Sequence, residues 1–481
     1  MKLLYNPDDK DSIIEFAKLL IGKSVLTEYP DDILKLNLSE KDKGQLGKVI
    51  EELYFQYKPN SNSSADFKEA GLELKSSGLK QLKNNEFRAK ERLVLNIINY
   101  LEIVKDDFEK DFITGKNAHL LLIFYLYQKG ASQLNSIIKL VGDWKYPEVD
   151  LEIIKKDWAL IKQKITDGKA HELSEGDTFY LGACTKGGKG GNLRKQPNSE
   201  FEAKQRAFSL KQGYLNHIIA SIANEKHEIY GKLITSIEVA KKKTIEEIVI
   251  EKFKDLIDKT DVELVEFFKL GNINPKIKNY HSKISNKILK SIFDVPKNRK
   301  IEEYIEEFEK AEIIIKTVRL KENNLPKEDI SFPTFKYEEL VEEEWDESDF
   351  KELLEHKFLF VFFQFVGSEL VLRKVKFWNM PFQDIEKAKE VWLKTKEIVS
   401  NGDIVKEIKH EKRYTNFPNK KFNSVSHVRP HAKNALDTFP LPKQDTITKL
   451  NAFTKQCFWL NNTYIRDDIY LKELSTIKPL F

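Results

Sequence analysis

The sequence predicts a mixed α/β fold, in which a central sheet is flanked by helices, and it predicts two tandem domains of this kind. Short apolar runs typical of strands alternate with longer segments whose apolar residues recur at helical spacing. In addition, four segments of the first half recur in the same order in the second half. The length of 481 residues agrees with this division, because one hydrophobic core seldom extends beyond roughly 250–300 residues.

The first half shows both element types in alternation. Helical spacing marks residues 11–20 and 44–57, and strand-like runs follow at 72–75 and 120–127. A longer helix is predicted at 151–165. Strands mixed with helices in this way indicate a central sheet covered by helices.

The internal repeat divides the chain. The matching pairs are DFKEAGLELKSSGL (66–79) with EFEKAEIIIKTVRL (307–320), LLLIFYLYQ (120–128) with FLFVFFQF (358–365), DWALIKQKITDG (157–168) with VWLKTKEIVSNG (391–402), and FSLKQGYL (208–215) with FWLNNTYI (458–465). Four collinear matches are hard to produce by chance. We therefore expect related domains at 1–225 and 265–481, joined at 226–264 by a linker that is helical because its apolar residues recur at helical spacing.

Composition narrows the class of protein. Apolar residues make up 41% of the chain, as in globular proteins, and no apolar run approaches the roughly 20 residues of a membrane span. The N-terminus lacks the features of a signal peptide, so we expect a soluble, cytoplasmic protein. The sequence contains two cysteines, Cys184 and Cys457, which are too few for a disulfide scaffold or a thiolate zinc site. A net charge of +4 neither demands nor forbids DNA binding.

The stretch ADFKEAGLELK carries the candidate chemistry. Alternate residues of a strand point to opposite faces, so Glu73 and Lys75 would project together while the flanking leucines enter the core. A turn at 68–71 would bring Asp66 beside them. Two converging carboxylates repel each other, and Mg²⁺, which takes oxygen ligands, would remove that repulsion. The backbone carbonyl of Leu74 could serve as a third oxygen ligand.

This constellation suits metal-assisted phosphodiester hydrolysis, in which Lys75 would orient or deprotonate a water molecule and stabilise charge on a phosphate. The alternative is an ordinary strand with a polar outer face, because a chain with 32% charged residues produces such a pattern by chance about once. The second copy favours the catalytic interpretation, since a merely solvated face does not predict losses at dispersed positions. The counterparts there are Ile314 for Glu73, Lys290 for Glu51, Leu354 for Lys116 and Lys316 for Lys75.

The segment DFKEAGLELK, preceded by DKGQLGKVIEELYF, resembles the MutH-like endonucleases, a branch of the PD-(D/E)xK nucleases that cut DNA at GATC. The similarity continues through GKNAHLLLIFYL, KDWALIKQKITDGKAHEL and FSLKQGYLNHII. The tandem arrangement resembles the larger GATC-cutting type II restriction enzymes, with a catalytic first domain and a degenerate second. Ala65 departs from the family pattern, since it stands where a proline would be written.

The resemblance implies two restriction-endonuclease-like (MutH-like) domains, Mg²⁺-dependent cleavage of both strands at GATC, and 5′-phosphate ends. It implies catalytic roles for five residues: Glu51, Asp66, Glu73, Lys75 and Lys116. Asp66 and Glu73 would also be metal ligands. We expect a monomer that dimerises transiently on DNA, with a second DNA site in the C-terminal domain. A strand-specific repair nickase and a non-catalytic GATC-binding protein remain alternatives.

Candidate DNA contacts lie in both halves. The glycine-rich stretch CTKGGKGGNLRKQP would allow close approach of the backbone to DNA, and lysine or arginine can contact phosphates or guanine. An ordinary surface loop explains the same stretch. HVRPHAKNA resembles the family's base-reading loop, and Cys184 stands in the first half where Arg429 stands in the second. The predicted contacts are Lys186, Lys189, Arg194, Lys211, Arg429 and His431.

Overall fold

The chain is described by a computed structural model over residues 3–36, 38, 44–57, 64–83, 85–186, 192–224, 230–271, 274–409 and 412–472. Its internal contacts define two units. The first contains residues 1–173, 177–245 and 303–312, and the second contains 174–176, 246–302 and 313–481.

Helices and strands occur in both units. The α-helices are Lys10–Lys18, Val25–Glu28, Pro30–Ile33, Gln45–Val49, Phe108–Phe112, Glu148–Thr166, Gln212–Ile222, Ile237–Lys242, Ile245–Phe253, Asp261–Phe267, Tyr280–Ile292, Ile301–Tyr304, Glu306–Ala311, Tyr337–Glu342, Asp349–Leu354, Phe382–Asn401 and Asn462–Tyr464. The strands of the first unit are Glu73–Gln81, Phe87–Ala89, Leu93–Ile97, His119–Leu126, Ile138–Lys145, Leu181–Thr185, Leu193–Arg194, Ala203–Lys204 and Arg206–Leu210. Those of the second unit are Ile314–Leu320, Ile330–Phe335, Phe358–Val366, Glu369–Trp378, Lys406–Lys409, Lys412–Thr415, Ser426–Pro430, Thr438–Pro440, Ala452–Thr454 and Gln456–Leu460.

A four-stranded sheet forms the centre of the first unit. Its strands lie in the order Phe87–Ala89, Glu73–Gln81, His119–Leu126 and Ile138–Lys145. The middle two strands are parallel, with Glu73 opposite Leu120, and the outer pairings are antiparallel. Residues 120–124 are fully buried, as expected for a strand covered on both faces. Burial of each such side chain contributes about 1.5–3 kcal/mol to stability.

The second unit repeats this topology. Ile314–Leu320 runs parallel to Phe358–Val366, which pairs with the antiparallel strand Glu369–Trp378. Ile314 lies opposite Phe358, in the same register as Glu73 and Leu120. A smaller three-stranded sheet also recurs: its strands are Leu93–Ile97, Arg206–Leu210 and Leu181–Thr185 in the first unit, and Ile330–Phe335, Gln456–Leu460 and Ser426–Pro430 in the second. The predicted mixed α/β fold is confirmed, and the boundaries at 225 and 265 stay a prediction.

The predicted elements are present, with shifted ends. The strand predicted at 72–75 continues to Gln81, and the helix predicted at 151–165 begins earlier, at Glu148. The segment 44–57 forms the α-helix Gln45–Val49 followed by a π-helical turn at Ile50–Tyr54. Among the described residues, none of the helices combines the length and hydropathy that a membrane crossing requires.

A buried carboxylate fastens the long helix of the first unit to its smaller sheet. Asp157 accepts hydrogen bonds from the backbone N–H groups of Phe179, Tyr180 and Leu181, at 2.9, 2.6 and 2.9 Å. Three buried amides therefore depend on one side chain. Its counterpart in the second copy is Val391, so this anchor belongs to the first unit.

We predict that Asp157→Ala lowers the free energy of unfolding by about 2–4 kcal/mol, because it leaves three buried donors without an acceptor. Urea titration followed by far-ultraviolet circular dichroism measures the change. Gln163→Ala, an exposed substitution on the same helix, is the control and should change stability by less than about 0.5 kcal/mol. Equal stability of the Asp157 variant and the wild type would refute the anchoring role.

Candidate active site

A tight turn brings the first two carboxylates together. Residues 68–71 form a turn that ends at Gly71, whose φ of +62° is the left-handed conformation that glycine adopts without strain. Phe67 and Leu72 close the turn through reciprocal backbone hydrogen bonds of 3.0 and 3.2 Å. As a result, Asp66 lies beside the first residue of the following strand, as the sequence predicts.

Glu73 is the centre of the cluster. Its Oε1 lies 2.5 Å from Nζ of Lys75 and 3.0 Å from Nζ of Lys116. Its Oε2 accepts a hydrogen bond of 3.2 Å from the backbone N–H of Asp66, whose carboxylate in turn accepts one of 3.0 Å from the N–H of Leu74. The Glu73 side chain is only 1% exposed, so it is more deeply enclosed than a residue projecting into an open cleft. Two cations compensate this buried anion.

The position of Lys116 follows from the sheet. Lys116 comes four residues before Leu120, which lies opposite Glu73 in the parallel pair. Parallel pairing therefore places the connection that leads into the strand His119–Leu126 next to the start of the strand Glu73–Gln81. Glu51, in the π-helical turn, is close enough to interact electrostatically with Asp66, Glu73 and Lys75. The five residues predicted as catalytic therefore lie in one cluster.

Glu51 has a strongly perturbed pKa. Burial, followed by the charge of Asp66, raises the pKa of Glu51 to about 7. It lies in the π-helical turn Ile50–Tyr54, and such turns occur often at functional sites. Glu51, Leu74 and Lys75 line a cavity of about 610 Å³ together with Lys48.

Asp66 is perturbed in the same direction. Burial and the neighbouring charge of Glu73 raise the pKa of Asp66 to about 6, although its hydrogen bond from Leu74 and the charges of the two lysines oppose the shift. A carboxyl whose pKa is raised by a like charge indicates a local excess of negative charge. Raised pKa values in a cavity are typical of functional sites.

The oxygen groups of this cluster fit a hard divalent cation. The lysines hold Oε1 of Glu73, whereas Oε2 accepts a hydrogen bond from the backbone N–H of Asp66. Carboxylate and carbonyl oxygens are the ligands that Mg²⁺ prefers. Within the described ranges, no three or more His, Cys, Asp or Glu side chains gather as a metal-binding group, which leaves the pair of carboxylates with the Leu74 carbonyl as the candidate set.

Tyr57 is a neighbour that the sequence analysis missed. Burial and then the charges of Asp66, Glu51 and Glu73 raise the pKa of Tyr57. Its buried hydroxyl has no hydrogen-bond partner in the described part of the chain. A tyrosine six positions after Glu51 carries no motif, so only its spatial proximity reveals it.

The predicted DNA contacts of the first unit have different surroundings. Lys189 lies outside the described residues. Lys186 is half-buried and precedes that gap, whereas Arg194 is exposed after it, with its guanidinium 3.0 Å from Oε1 of Gln205. These two residues keep their predicted role as candidates.

The expectation for Lys211 needs correction. Its side chain is buried, and Nζ donates a hydrogen bond of 2.7 Å to the carbonyl of Thr178. A lysine enclosed in this way has no free face for a phosphate. Lys211 comes directly before the helix Gln212–Ile222, and its role is structural. The sequence could not distinguish it from a solvated lysine.

In the second unit, two predicted contacts share one aromatic ring. The guanidinium of Arg429 lies 3.9 Å from the ring centroid of Trp459, and the His431 ring centroid lies 5.3 Å from it. Arg429 also pairs with Asp329 at 3.2 Å. The side chains of Arg429 and His431 are exposed, which is compatible with contact to DNA.

The register of the smaller sheets confirms that Cys184 and Arg429 occupy equivalent positions in the two units. Cys184 lies opposite Ala207, and Arg429 lies opposite Cys457. Cys184 is therefore the buried counterpart of an exposed arginine.

The polar cluster is missing from the corresponding place in the second unit. Ile314 and Leu354 take the places of Glu73 and Lys116, and Leu354 is fully buried. Lys316, the counterpart of Lys75, is retained. Burial lowers the pKa of Lys316, which the charge of Glu302 opposes.

Comparison with known proteins agrees with this geometry. Residues 55–157 match the family described as DNA mismatch repair enzyme MutH; the match includes Asp66, Glu73, Lys75 and Lys116. The chain is also 37% identical over 494 aligned residues to the type II restriction enzyme Sau3AI of Staphylococcus aureus, which covers 96% of this chain and 98% of the relative.

The chain belongs to the MutH-like type II restriction endonucleases. As a member of that family it is a site-specific deoxyribonuclease, and its substrate is DNA. The alignment with the restriction enzyme spans both units, whereas the MutH match at residues 55–157 lies within the first unit and does not include Glu51.

The raised pKa of Asp66 gives a prediction for the metal-free MutH-like endonuclease. A carboxyl with a raised pKa in the folded state stabilises the fold at low pH, and this contribution is lost as the pH rises through about 6. In EDTA, Asp66→Asn should therefore increase the free energy of unfolding at pH 8 by about 1 kcal/mol, a value discounted for the partial exposure of the group. The gain should shrink towards pH 4.5.

Chemical denaturation at both pH values measures this difference. Asp8→Asn, at an exposed carboxylate, is the control and should show no such gain. A destabilised Asp66→Asn variant at pH 8 would mean that the carboxylate stabilises the metal-free site rather than straining it.

Proposed function

We propose that this enzyme cleaves both strands of DNA at GATC by Mg²⁺-dependent hydrolysis of phosphodiester bonds, leaving 5′-phosphate and 3′-hydroxyl ends. The observation that carries the proposal is the convergence of Asp66, Glu73, Lys75, Lys116 and Glu51 in the first unit. The preference for GATC rests on the resemblance of DFKEAGLELK and its flanking segments to GATC-cutting enzymes.

Each residue of the cluster has a role that its contacts support. Glu73 holds Lys75 and Lys116 through one oxygen, which keeps both ammonium groups near the place where a phosphate would lie. Lys75 would orient or deprotonate the attacking water, and Lys116 would stabilise negative charge on the phosphate. Glu51, with its pKa of about 7, can exchange a proton near neutral pH.

Asp66, Glu73 and the Leu74 carbonyl would hold the metal ion. A bound Mg²⁺ supplies Lewis-acid stabilisation of phosphate charge and lowers the pKa of a bound water. Phosphodiester hydrolysis needs a barrier reduction of roughly 20 kcal/mol, and positioning combined with electrostatic stabilisation can provide much of it. The P–O bond to the 3′-oxygen breaks, and this oxygen leaves as the 3′-hydroxyl.

The second unit would bind DNA without cutting it. Its Ile314 and Leu354 cannot replace a carboxylate and an ammonium, while Arg429 and His431 remain exposed beside Trp459. One chain then carries one catalytic cluster, although a double-strand cut requires two hydrolyses. We therefore propose a monomer that dimerises transiently on DNA or makes two successive nicks, and that acts on DNA in the cytoplasm.

Two other functions give different products. A strand-specific repair nickase would leave unmodified GATC mostly nicked and would need an activating partner. A non-catalytic GATC-binding protein would bind without cutting, and the relationship to a type II restriction enzyme over 96% of the chain favours cleavage instead.

We predict that Glu73→Gln reduces cleavage on the order of a thousandfold or more, because it removes a metal ligand and the anion that positions two lysines. Lys75→Met should reduce it by about a hundredfold or more. Lys80→Met, at the exposed end of the same strand, should stay within about twofold of the wild type. Gel-shift assays in EDTA should show that all three variants still bind DNA. A Glu73→Gln variant that cuts at the wild-type rate would eliminate this site assignment.

We also predict that a plasmid with few mapped GATC sites is cut in Mg²⁺ and not in EDTA, and that sequencing of the ends places every break at GATC. At low enzyme concentration a nicked form should accumulate before the linear form, since each catalytic cluster hydrolyses one strand at a time.

The outcomes separate the candidates. Nicks alone would favour the repair nickase, and binding without cleavage would favour the non-catalytic protein. A linear product with no nicked intermediate, at a rate independent of enzyme concentration, would contradict both transient dimerisation and successive nicking.

A further inference from the structure

A tryptophan–aspartate pair of the first unit is separated in the second. In the first unit, Nε1 of Trp158 lies 3.3 Å from Oδ2 of Asp111. The counterparts are Trp392 and Asp349, which have the same sequence relationship to the repeated strands. Nε1 of Trp392 has no hydrogen-bond acceptor in the described part of the chain, although this side chain is only 2% exposed.

Aromatic packing supports the equivalence of these two pairs. Each aspartate precedes a phenylalanine, Phe112 or Phe350. Phe112 contacts Phe208 at a centroid distance of 6.5 Å, and Phe350 stacks on Phe458 at 4.0 Å. Phe208 and Phe458 are themselves counterparts in the repeat, so both phenylalanines pack on the same strand, although Phe112 ends the helix Phe108–Phe112 and Phe350 lies in the first turn of the helix Asp349–Leu354.

Trp392 and Asp349 both line a cavity of about 440 Å³. Its size falls within the range of small-molecule sites. We call it the acid-rimmed cavity. Its aromatic lining consists of Phe332, Phe335, Phe350, Trp392 and Phe458.

The remaining lining contains four carboxylates, together with Lys336, His356 and four uncharged residues. The carboxylates are those of Glu339, Glu343, Asp349 and Glu352. Lys336 pairs with Glu339 at 2.8 Å. Among the described residues, no lysine or arginine lies within ion-pair distance of the other three carboxylates. DNA phosphates would be repelled from this rim, so the cavity is chemically different from a nucleic-acid surface.

The carboxylates also repel one another. Burial, followed by the charges of Asp349 and Glu339, raises the pKa of Glu343 to about 7, while Lys396 opposes the shift. Lys396 lies 5.0 Å from the Trp392 ring centroid and donates to the backbone carbonyl of Glu343. The Trp392 ring therefore already attracts one cation, the Lys396 ammonium. The carboxylates that have no lysine or arginine partner could bind a second cation.

We propose that the acid-rimmed cavity binds a small organic cation, an ammonium or guanidinium group carried on an apolar body. The body would contact the phenylalanine and tryptophan rings, and the cation would lie between the carboxylates. This site is independent of the cleavage chemistry proposed above, because all its residues belong to the second unit.

Ligand-observed NMR titration of the full chain tests the proposal with a matched pair of probes. Phenethylamine carries the charge, and 2-phenylethanol has the same ring and length without it. Phenethylamine should bind at least about fivefold more tightly. Glu343→Gln and Asp349→Asn should each weaken phenethylamine binding by roughly three- to tenfold, and leave 2-phenylethanol binding unchanged, which also shows that the cavity is intact.

Glu342→Gln changes an exposed carboxylate beside Glu343 that does not line the cavity, and it should bind both probes as the wild type does. Equal affinity for the two probes would overturn the proposal, as would the absence of binding or affinities that none of the lining substitutions changes. Because Asp349 is exposed, its variant tests the proposal even where Glu343→Gln unfolds.

Discussion

The parallel pairing of Glu73–Gln81 with His119–Leu126 is the constraint on which the candidate active site depends. Parallel strands require a crossover between them, and here residues 82–118 provide it. The pairing sets Glu73 opposite Leu120, and the last turn of the crossover then delivers Lys116 to the same carboxylate. A slip by one residue would turn Glu73 to the other face of the sheet. The contact between Glu73 and Lys116 therefore depends on the register of the sheet as much as on the identity of the two residues.

The register itself is maintained by apolar residues. The second unit keeps the parallel pair, with Ile314 opposite Phe358, although it lacks the carboxylate and the second lysine. The scaffold consequently does not need the polar cluster in order to form. In the first unit burial and the neighbouring carboxylates raise the pKa values of Glu51 and Asp66, so we expect the ionised cluster to work against stability. Such strain is characteristic of functional sites whose charges are complementary to an absent partner.

Much of the fold and the centre of the site could be predicted from the sequence. Strand alternation, the turn assumed at 68–71 and the repeat lead directly to the contact of Asp66 with Glu73 and to the duplicated topology. Burial was harder to predict, since it depends on residues distant in the chain. Lys211 resembles a surface lysine until the carbonyl of Thr178 is found beside it. Tyr57 has no motif, and only the folded chain shows its position. The loss of the hydrogen bond between Trp392 and Asp349 was equally inaccessible, because both residues are retained in the repeat.

The π-helical turn at Ile50–Tyr54 has a consequence for how this nuclease can evolve. A π turn holds one more residue than the α-helical turn that it replaces, and it usually arises as a local bulge within an α-helix. Loss of a single residue there would restore regular α-helix and rotate the following side chains by about 100°. If the residue lost were Ile50, which precedes Glu51 in the turn, Glu51 would leave the cluster although every residue type of the candidate site was still encoded. An insertion or deletion in this helix could therefore change the candidate site without any substitution of its residues.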